Sequence, residues 1–197
     1  MPIGDAFFSI FATEMETIIN DTIVALRGGG TILYPTDTIW GIGCDARNAE
    51  AVERLYSIKQ RDRTKSMLVL VPTGTLPALG YSDGRPTTYI LPRAIWHDEL
   101  HLQVACTLPA ADGTLGIREP RHMFCQEVLQ RLGAPLVSTS ANLSGHPSPA
   151  CHDDIEKTLF ERLDYCVPPL AEFVSGRSEG SRIVRIDPDG STTIIRP

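Results

Sequence analysis

The chain has 197 residues, of which 42% are hydrophobic, and its formal net charge is −6; this is enough apolar material for one domain with a substantial core, while the acidic balance argues against wholesale binding to nucleic-acid phosphates. There is no run of eighteen apolar residues, and Met1 to Asp5 lack the basic flank of a signal peptide, so no membrane association and a cytoplasmic location are expected. The five scattered cysteines include no C-x-x-C pair, which fits reduced thiols better than a disulfide framework or a zinc site.

The apolar patterning predicts alternating helices and strands, so the expected fold class is α/β. Helices are predicted over residues 13–26, 48–59, 124–132 and 148–163. Strands are predicted over residues 31–34, 67–71, 87–91, 113–118 and 135–138, and the two strands of a terminal hairpin over 183–186 and 192–195. Gly28–Gly30 end the first helix, Asn48 caps the second, and Ser148-Pro149 begins the last. Asp187–Gly190 is a turn-forming tetrad, and the hairpin that it closes makes the sheet mixed rather than wholly parallel.

Three polar segments indicate a ligand site. Tyr34–Gly43 and Ser138–Gly145 each follow a short apolar run and gather hydroxyls, an amide and glycines where a buried strand ends. In open α/β sheets ligands bind outside the carboxyl ends of strands, where backbone N–H groups face anions. Between them, Lys59–Lys65 carries four cations in seven positions at the end of a predicted helix, which suits a polyphosphate.

Taken together, these segments resemble the YrdC/Sua5 family, the L-threonylcarbamoyladenylate synthases of tRNA modification. The resemblance runs from about Met15 to Pro197 and consists of YPTDT-x-x-GIGCDA, a Lys-x-Arg pair, a Gly-Ile-Arg, SANLSG-x-PSP and a terminal Ile-Arg-Pro. It implies a single YrdC-like domain over residues 1–197, with a twisted mixed open sheet flanked by helices. It also implies a nucleotidyltransferase that forms threonylcarbamoyl-AMP from L-threonine, bicarbonate and ATP and releases pyrophosphate.

The same resemblance implies roles for individual residues. Lys59 and Arg61 are expected to act on the ATP phosphates and on the leaving pyrophosphate. Thr38 and Arg118 are expected to hold threonine, since a guanidinium can bind a carboxylate bidentately. Mg²⁺ is expected to arrive with ATP, without a metal site on the protein. The expected ATP-binding residues are Lys59, Arg61, Lys65, Thr88, Ser138, Ser140, Asn142, Ser148 and Arg196.

Simpler interpretations remain open for each group. Cations at a helix end are commonly solvated, because they complement the helix dipole, and Arg118 has an internal ion pair as its alternative role. Hydroxyls and amides at strand ends can satisfy local backbone groups. At the level of function, the alternatives are a double-stranded RNA or tRNA binding module without adenylation activity, and a carbamoyl-adenylate-forming maturation domain. The expected macromolecular partners are tRNA, bound weakly or transiently, and a separate threonylcarbamoyl transferase.

The chain also departs from the family pattern. Leu70 stands where some members carry a threonine-contacting histidine, and Ser181-Arg182 replaces the usual Ser-Thr pair. Ser82–Pro86 replaces the Trp-Pro-Gly-Pro segment that precedes the Thr88 strand. Each departure puts one substrate contact in doubt.

Overall fold

The computed structural model describes residues 3–76, 80, 84–170 and 180–197, so Ser82 and Asp83 of the divergent segment lie outside the described residues. Short helical turns of π and 3₁₀ type occupy Ala94–Glu99 and His152–Asp154. The regular elements are α1 (Ile3–Arg27), β1 (Ile32–Tyr34), β2 (Gly41–Gly43), α2 (Ala49–Lys59), β3 (Leu68–Leu70), β4 (Thr87–Leu91), β5 (Leu115–Arg118), α3 (Met123–Leu132), β6 (Leu136–Ser140), α4 (Lys157–Phe160), β7 (Tyr165–Cys166), β8 (Arg182–Ile186) and β9 (Thr192–Arg196).

All nine described strands form one twisted sheet in the order β7-β1-β2-β6-β3-β5-β4-β8-β9, with helices packed around it. Within this order β1–β7, β3–β5 and β4–β8 are parallel pairs, and the other neighbours are antiparallel. The predicted mixed α/β fold is therefore confirmed. The mixing extends through the sheet rather than being confined to the terminal hairpin.

The first helix begins earlier than the sequence predicts. Thr13 is an interior residue of α1 rather than its cap, and its carbonyl accepts a hydrogen bond from Thr17 Oγ at 2.9 Å. Thr13 and Glu16 have the spacing of a capping box, which predicts a helix start at this point, but the chain before them is already helical. The predicted end is confirmed, since Gly29 takes a φ of 78° and the chain leaves the helix at once for β1.

Other caps form where the sequence predicts them. Asn48 Oδ1 accepts from the Ala51 N–H at 3.0 Å and begins α2. Gly133 ends α3 with a φ of 66°, and Gly190 closes the β8–β9 turn by donating to Asp187 O at 2.8 Å. These ends are local properties of the chain, so the sequence alone suffices to locate them.

The prediction of one helix over residues 148–163 is wrong. The chain there forms only the 3₁₀ turn, which Cys151 and Asp154 cap, and the single turn α4. Tertiary contacts override the helical pattern, because the His152 ring packs edge-on against Trp40, with ring centroids 4.9 Å apart, and against Phe160, with ring centroids 5.4 Å apart.

No helix in the described part of the chain is both long and apolar enough to cross a bilayer.

Candidate active site

A cavity of about 290 Å³ lies over one face of the sheet. Residues directly opposite each other in neighbouring strands point to the same face. Gly41 pairs with Ser140 across β2 and β6. Ser138 pairs with Leu68, and Leu68 pairs with Gly116, so the cavity floor crosses β6, β3 and β5. The sequence predicted a site outside the carboxyl ends of strands, but the antiparallel neighbours send those ends to opposite edges, and the floor crosses the strands instead.

Two glycines keep space open in this cavity. A Cβ atom at Gly116 would lie 3.3 Å from Leu68 Cβ and 3.6 Å from Thr88 Cγ2, so a side chain there would fill the floor. A Cβ atom at Gly180 would lie 2.8 Å from Nη2 of Arg196. Glycine at that position leaves room for the guanidinium.

Arg118, at the end of β5, reaches the loop between β1 and β2. Its Nη1 donates to Thr38 Oγ1 at 3.0 Å, and only 4% of its surface is exposed. Its Nη2 approaches Asp37 Oδ1 at 3.4 Å, a long contact for an ion pair. Both roles expected for Arg118 are compatible with this position. It lines the cavity, as a residue that holds threonine would, and it also has an acidic neighbour, as in an internal ion pair.

Two more arginines line the same cavity, and backbone carbonyls hold both. Arg61 donates from Nε to Lys65 O and from Nη2 to Ser66 O, each at 2.9 Å. Arg196 Nε donates to Ser181 O at 2.8 Å, and its Nη2 donates to the same oxygen. Neutral carbonyls orient a guanidinium without neutralising it. Both charges therefore remain available to an anion.

The electrostatics of the cavity favour an anionic ligand. Among the described residues that line it, none is an aspartate or a glutamate. Burial lowers the pKa of Arg196, and the positive charge of Arg118 lowers it further. Burial also lowers the pKa of Arg61. An anion between these groups would relieve their mutual repulsion and replace lost solvation.

Lys59 lies behind the cavity rather than in its lining. Its Nζ donates to Ser140 O at 2.6 Å, to Asn142 O at 2.5 Å and to Asn142 Oδ1 at 2.9 Å. These three bonds use all three ammonium donors, and the residue is only 1% exposed. Burial, followed by the charge of Arg61, lowers the pKa of Lys59 to about 7. In the structure the ammonium fastens the β6 loop to the end of α2, and the expected contact of Lys59 with the ATP phosphates stays a prediction.

Hydroxyl groups complete the cavity. Thr88 Oγ1 and Ser181 Oγ lie 2.7 Å apart, which joins β4 to the segment before β8. Ser140 Oγ donates to Asn142 Oδ1 at 2.5 Å, and Asn142 Nδ2 donates to His146 O at 2.6 Å. Asn142 therefore shapes the loop that presents Ser140 to the cavity.

Most of the residues predicted from the sequence meet in this one place. Those that line the cavity are Thr38, Arg61, Thr88, Arg118, Ser138, Ser140, Ser148 and Arg196. Lys59, Lys65 and Asn142 do not line it. Leu70 is fully buried in β3, and neither it nor Arg182 lines the cavity.

Sequence reasoning missed several residues of the lining. They include Ser66, Thr139 and Gly180. Thr139 stands inside a recognised loop, so its position is a usable signal. Ser66 carries no local signal, because only the strand order brings it to the cavity. Thr36 of the Tyr34–Gly43 segment and Ser181 of the Ser181-Arg182 pair, both noted in the sequence, also line the cavity. No group of three or more histidine, cysteine, aspartate or glutamate residues that could hold a metal ion occurs within the described ranges.

Comparison with known proteins identifies relatives of this chain. The family model Sua5_yciO_yrdC, described as "Telomere recombination", matches residues 24–197. A putative threonylcarbamoyl-AMP synthase of Mycobacterium tuberculosis is 36% identical over an alignment of 189 residues that covers 91% of this chain and 83% of the relative. The threonylcarbamoyl-AMP synthase of Vibrio parahaemolyticus is 30% identical over an alignment of 182 residues that covers 86% of this chain and 92% of that protein.

A solved structure supports the same fold. Sua5 of P. abyssi, complexed with L-threonine, superposes with a TM-score of 0.71 at 18% identity. The match covers 91% of this chain but only 53% of that one. At this identity the likeness establishes the fold alone.

Proposed function

The chain belongs to the Sua5/YciO/YrdC family, and from that premise we propose that it is an L-threonylcarbamoyladenylate synthase. The enzyme joins L-threonine, bicarbonate and ATP into threonylcarbamoyl-AMP and releases pyrophosphate. One observation carries this proposal: Arg61, Arg118 and Arg196 line a single cavity in which no described lining residue is acidic. Such a cavity is complementary to a triphosphate beside a carboxylate.

The reaction requires positioning more than covalent chemistry by the protein. Bicarbonate and the amine of threonine form a carbamate and water. A carbamate oxygen then bonds to the α-phosphorus while the bond from that phosphorus to the bridging oxygen breaks, and pyrophosphate leaves. No enzyme nucleophile takes part. The buried thiol of Cys44 is a poor nucleophile, because burial raises its pKa to about 12 and keeps it protonated at neutral pH.

Each lining group has a role in this proposal. Arg61 and Arg196 neutralise charge on the triphosphate and the departing pyrophosphate, and Arg118 with Thr38 holds the amino acid. Lys59 acts indirectly, by fixing the Ser140 loop. The hydroxyls proposed to contact the nucleotide are those of Thr88, Ser138, Ser140 and Ser148.

The metal belongs to the nucleotide in this proposal. The described lining offers hydroxyls and guanidinium groups but no carboxylate, so its donors do not form a protein site for Mg²⁺. We therefore assign Mg²⁺ to the phosphates of ATP, where it would neutralise charge. The protein residues bind and orient the substrates around that complex.

The proposal extends to the partners and the setting. The chain acts as one YrdC-like domain in the cytoplasm and passes its product to a separate threonylcarbamoyl transferase. A net charge of −6 supports only weak, salt-sensitive binding of tRNA.

The experiment is direct detection of the product. Protein incubated with ATP, L-threonine, bicarbonate and Mg²⁺ should form threonylcarbamoyl-AMP by mass spectrometry and pyrophosphate in equal amounts. Omitting threonine or bicarbonate should abolish both products. Pyrophosphate or AMP without the adenylate would contradict the proposed reaction. Tight tRNA binding at high salt together with absent ATP turnover would instead identify an RNA-binding module.

A further inference from the structure

The loop between β1 and β2 contains a short chain of hydroxyl groups. Thr36 Oγ1 donates to Ile39 O at 2.7 Å and accepts from the Thr38 N–H at 3.1 Å. Thr36 Oγ1 and Thr38 Oγ1 lie 3.0 Å apart. Both threonines are buried, and both line the cavity.

These contacts decide where each hydroxyl proton lies. A threonine hydroxyl has one proton to donate and two lone pairs. The proton of Thr36 is committed to Ile39 O, since two oxygens 2.7 Å apart must share a proton. The proton between the two threonines therefore comes from Thr38. Arg118 Nη1 then fills one lone pair of Thr38 Oγ1.

Thr38 consequently faces the cavity with one lone pair that accepts no hydrogen bond from the described residues, while its own proton is committed to Thr36. We propose that Thr36 is a positioning residue that fixes Thr38 as a hydrogen-bond acceptor, so that Thr38 receives a donor group of the amino-acid substrate and not its carboxylate. This inference rests on the proposed function and refines it. The carboxylate falls to Arg118, whose Nε has no hydrogen-bond partner among the described residues. The nearby carboxylate of Asp37 disfavours a second anion on the Thr38 side.

L-threonine has two groups that can fill this role, its β-hydroxyl and its α-amine. L-valine keeps the amine and lacks the hydroxyl, whereas 3-hydroxybutanoate keeps the hydroxyl and lacks the amine. Calorimetric titration of both probes and of L-threonine into wild-type protein and Thr36→Val separates the two. Thr36→Val keeps the side-chain shape but removes the hydroxyl that accepts the Thr38 proton, so the chain of hydroxyl groups is interrupted.

The expected result for Thr36→Val is about tenfold weaker threonine binding, the usual effect of one buried hydrogen bond, with unchanged ATP binding. Thr36→Ser restores the hydroxyl and should bind threonine as the wild type does. If Thr38 receives the β-hydroxyl, valine binds both proteins equally; if it receives the amine, 3-hydroxybutanoate does so. Thr22→Val is the matched control, because Thr22 is a fully buried threonine that donates to Ile18 O at 2.7 Å within α1.

Several results would overturn the inference. Equal threonine affinity of wild type and Thr36→Val would remove the role of Thr36. Equal weakening of threonine, both probes and ATP would assign Thr36 to general loop structure. A wild-type protein that neither binds threonine nor forms the adenylate would instead overturn the proposed function, and the two failures are therefore distinguishable.

Discussion

Replacing Lys59 with methionine should destabilise the fold and loosen the nucleotide loop without removing a direct ligand contact. Methionine fills nearly the same volume but donates no hydrogen bond. The variant leaves three bonds unmade, to Ser140 O, Asn142 O and Asn142 Oδ1. Ser140 O still accepts from the Asn142 N–H, and Asn142 Oδ1 still accepts from the Ser140 hydroxyl, so the cost is that of the lost hydrogen bonds to a charged donor, about 1.5–3 kcal/mol each. Removing the buried charge offsets part of that loss, so the net fall in the free energy of unfolding should be about 2–4 kcal/mol.

A loss of that size should lower Tm by roughly 5–15 °C in a chain of this length. Calorimetry or circular dichroism measures it, and steady-state kinetics should show a raised KM for ATP. Lys157→Met is the control, because Lys157 is exposed on α4 and its replacement should change the free energy of unfolding by less than about 0.5 kcal/mol.

The pH dependence provides a second measurement on the same variant. Burial lowers the pKa of Lys59 to about 7, below its ordinary value of 10.5, so between these pH values the unfolded chain binds more protons than the folded one. The free energy of unfolding should therefore rise with pH across that window, by at most about 1.4 kcal/mol per pH unit, and Lys59→Met should lose this contribution. Unchanged stability of Lys59→Met together with a selective loss of turnover would refute this reasoning. That result would favour a direct contact between Lys59 and the ATP phosphates.

Three further substitutions test the cavity. Arg61→Ala should lower kcat/KM for ATP by about two to three decades. Arg63→Ala removes an exposed cation outside the described lining and should leave kcat/KM nearly unchanged. Equal losses in the two variants would mean that overall positive charge, rather than a contact by Arg61, is what matters. Arg118→Lys should raise the KM for threonine and spare that for ATP, because lysine lacks the planar fork; parallel losses in both would make Arg118 structural. Gly180→Ala should raise the KM for ATP, since the added Cβ would lie 2.8 Å from Nη2 of Arg196 and displace the guanidinium. An unchanged KM would show that Arg196 does not bind ATP.

The sequence predicts elements whose determinants are local. Thr87–Leu91 was predicted as a strand and is β4, and Asn48 caps α2 as expected. The helix predicted from Ser148 failed because the contact between His152 and Trp40 joins residues far apart in the chain. The missed β2 has three residues, two of them glycine, and owes its structure to its neighbours β1 and β6.

The candidate site divides along the same line. Motifs carry the chemical identity of the ligand-facing groups, so Arg61, Arg118 and Arg196 could be chosen in advance. They do not carry the direction of a side chain. Lys59 and Arg61 are two residues apart, yet one points into the protein and the other lines the cavity. Hydrogen-bond direction within the Thr36–Thr38 pair likewise depends on Ile39 O, which no residue pattern reveals.

The row of residues that forms the cavity floor has a consequence for folding kinetics. The lining runs from Thr36 to Arg196 and draws on β2, β6, β3, β5, β4, β8 and β9, whose order in the sheet differs from their order along the chain. Such pairings have high contact order and form late, after long loops have closed. No partly folded intermediate that lacks β8 can present the complete floor. Recovery of ligand binding during refolding should therefore lag behind helix formation, and a bound ligand should slow amide exchange in strands at both ends of this row.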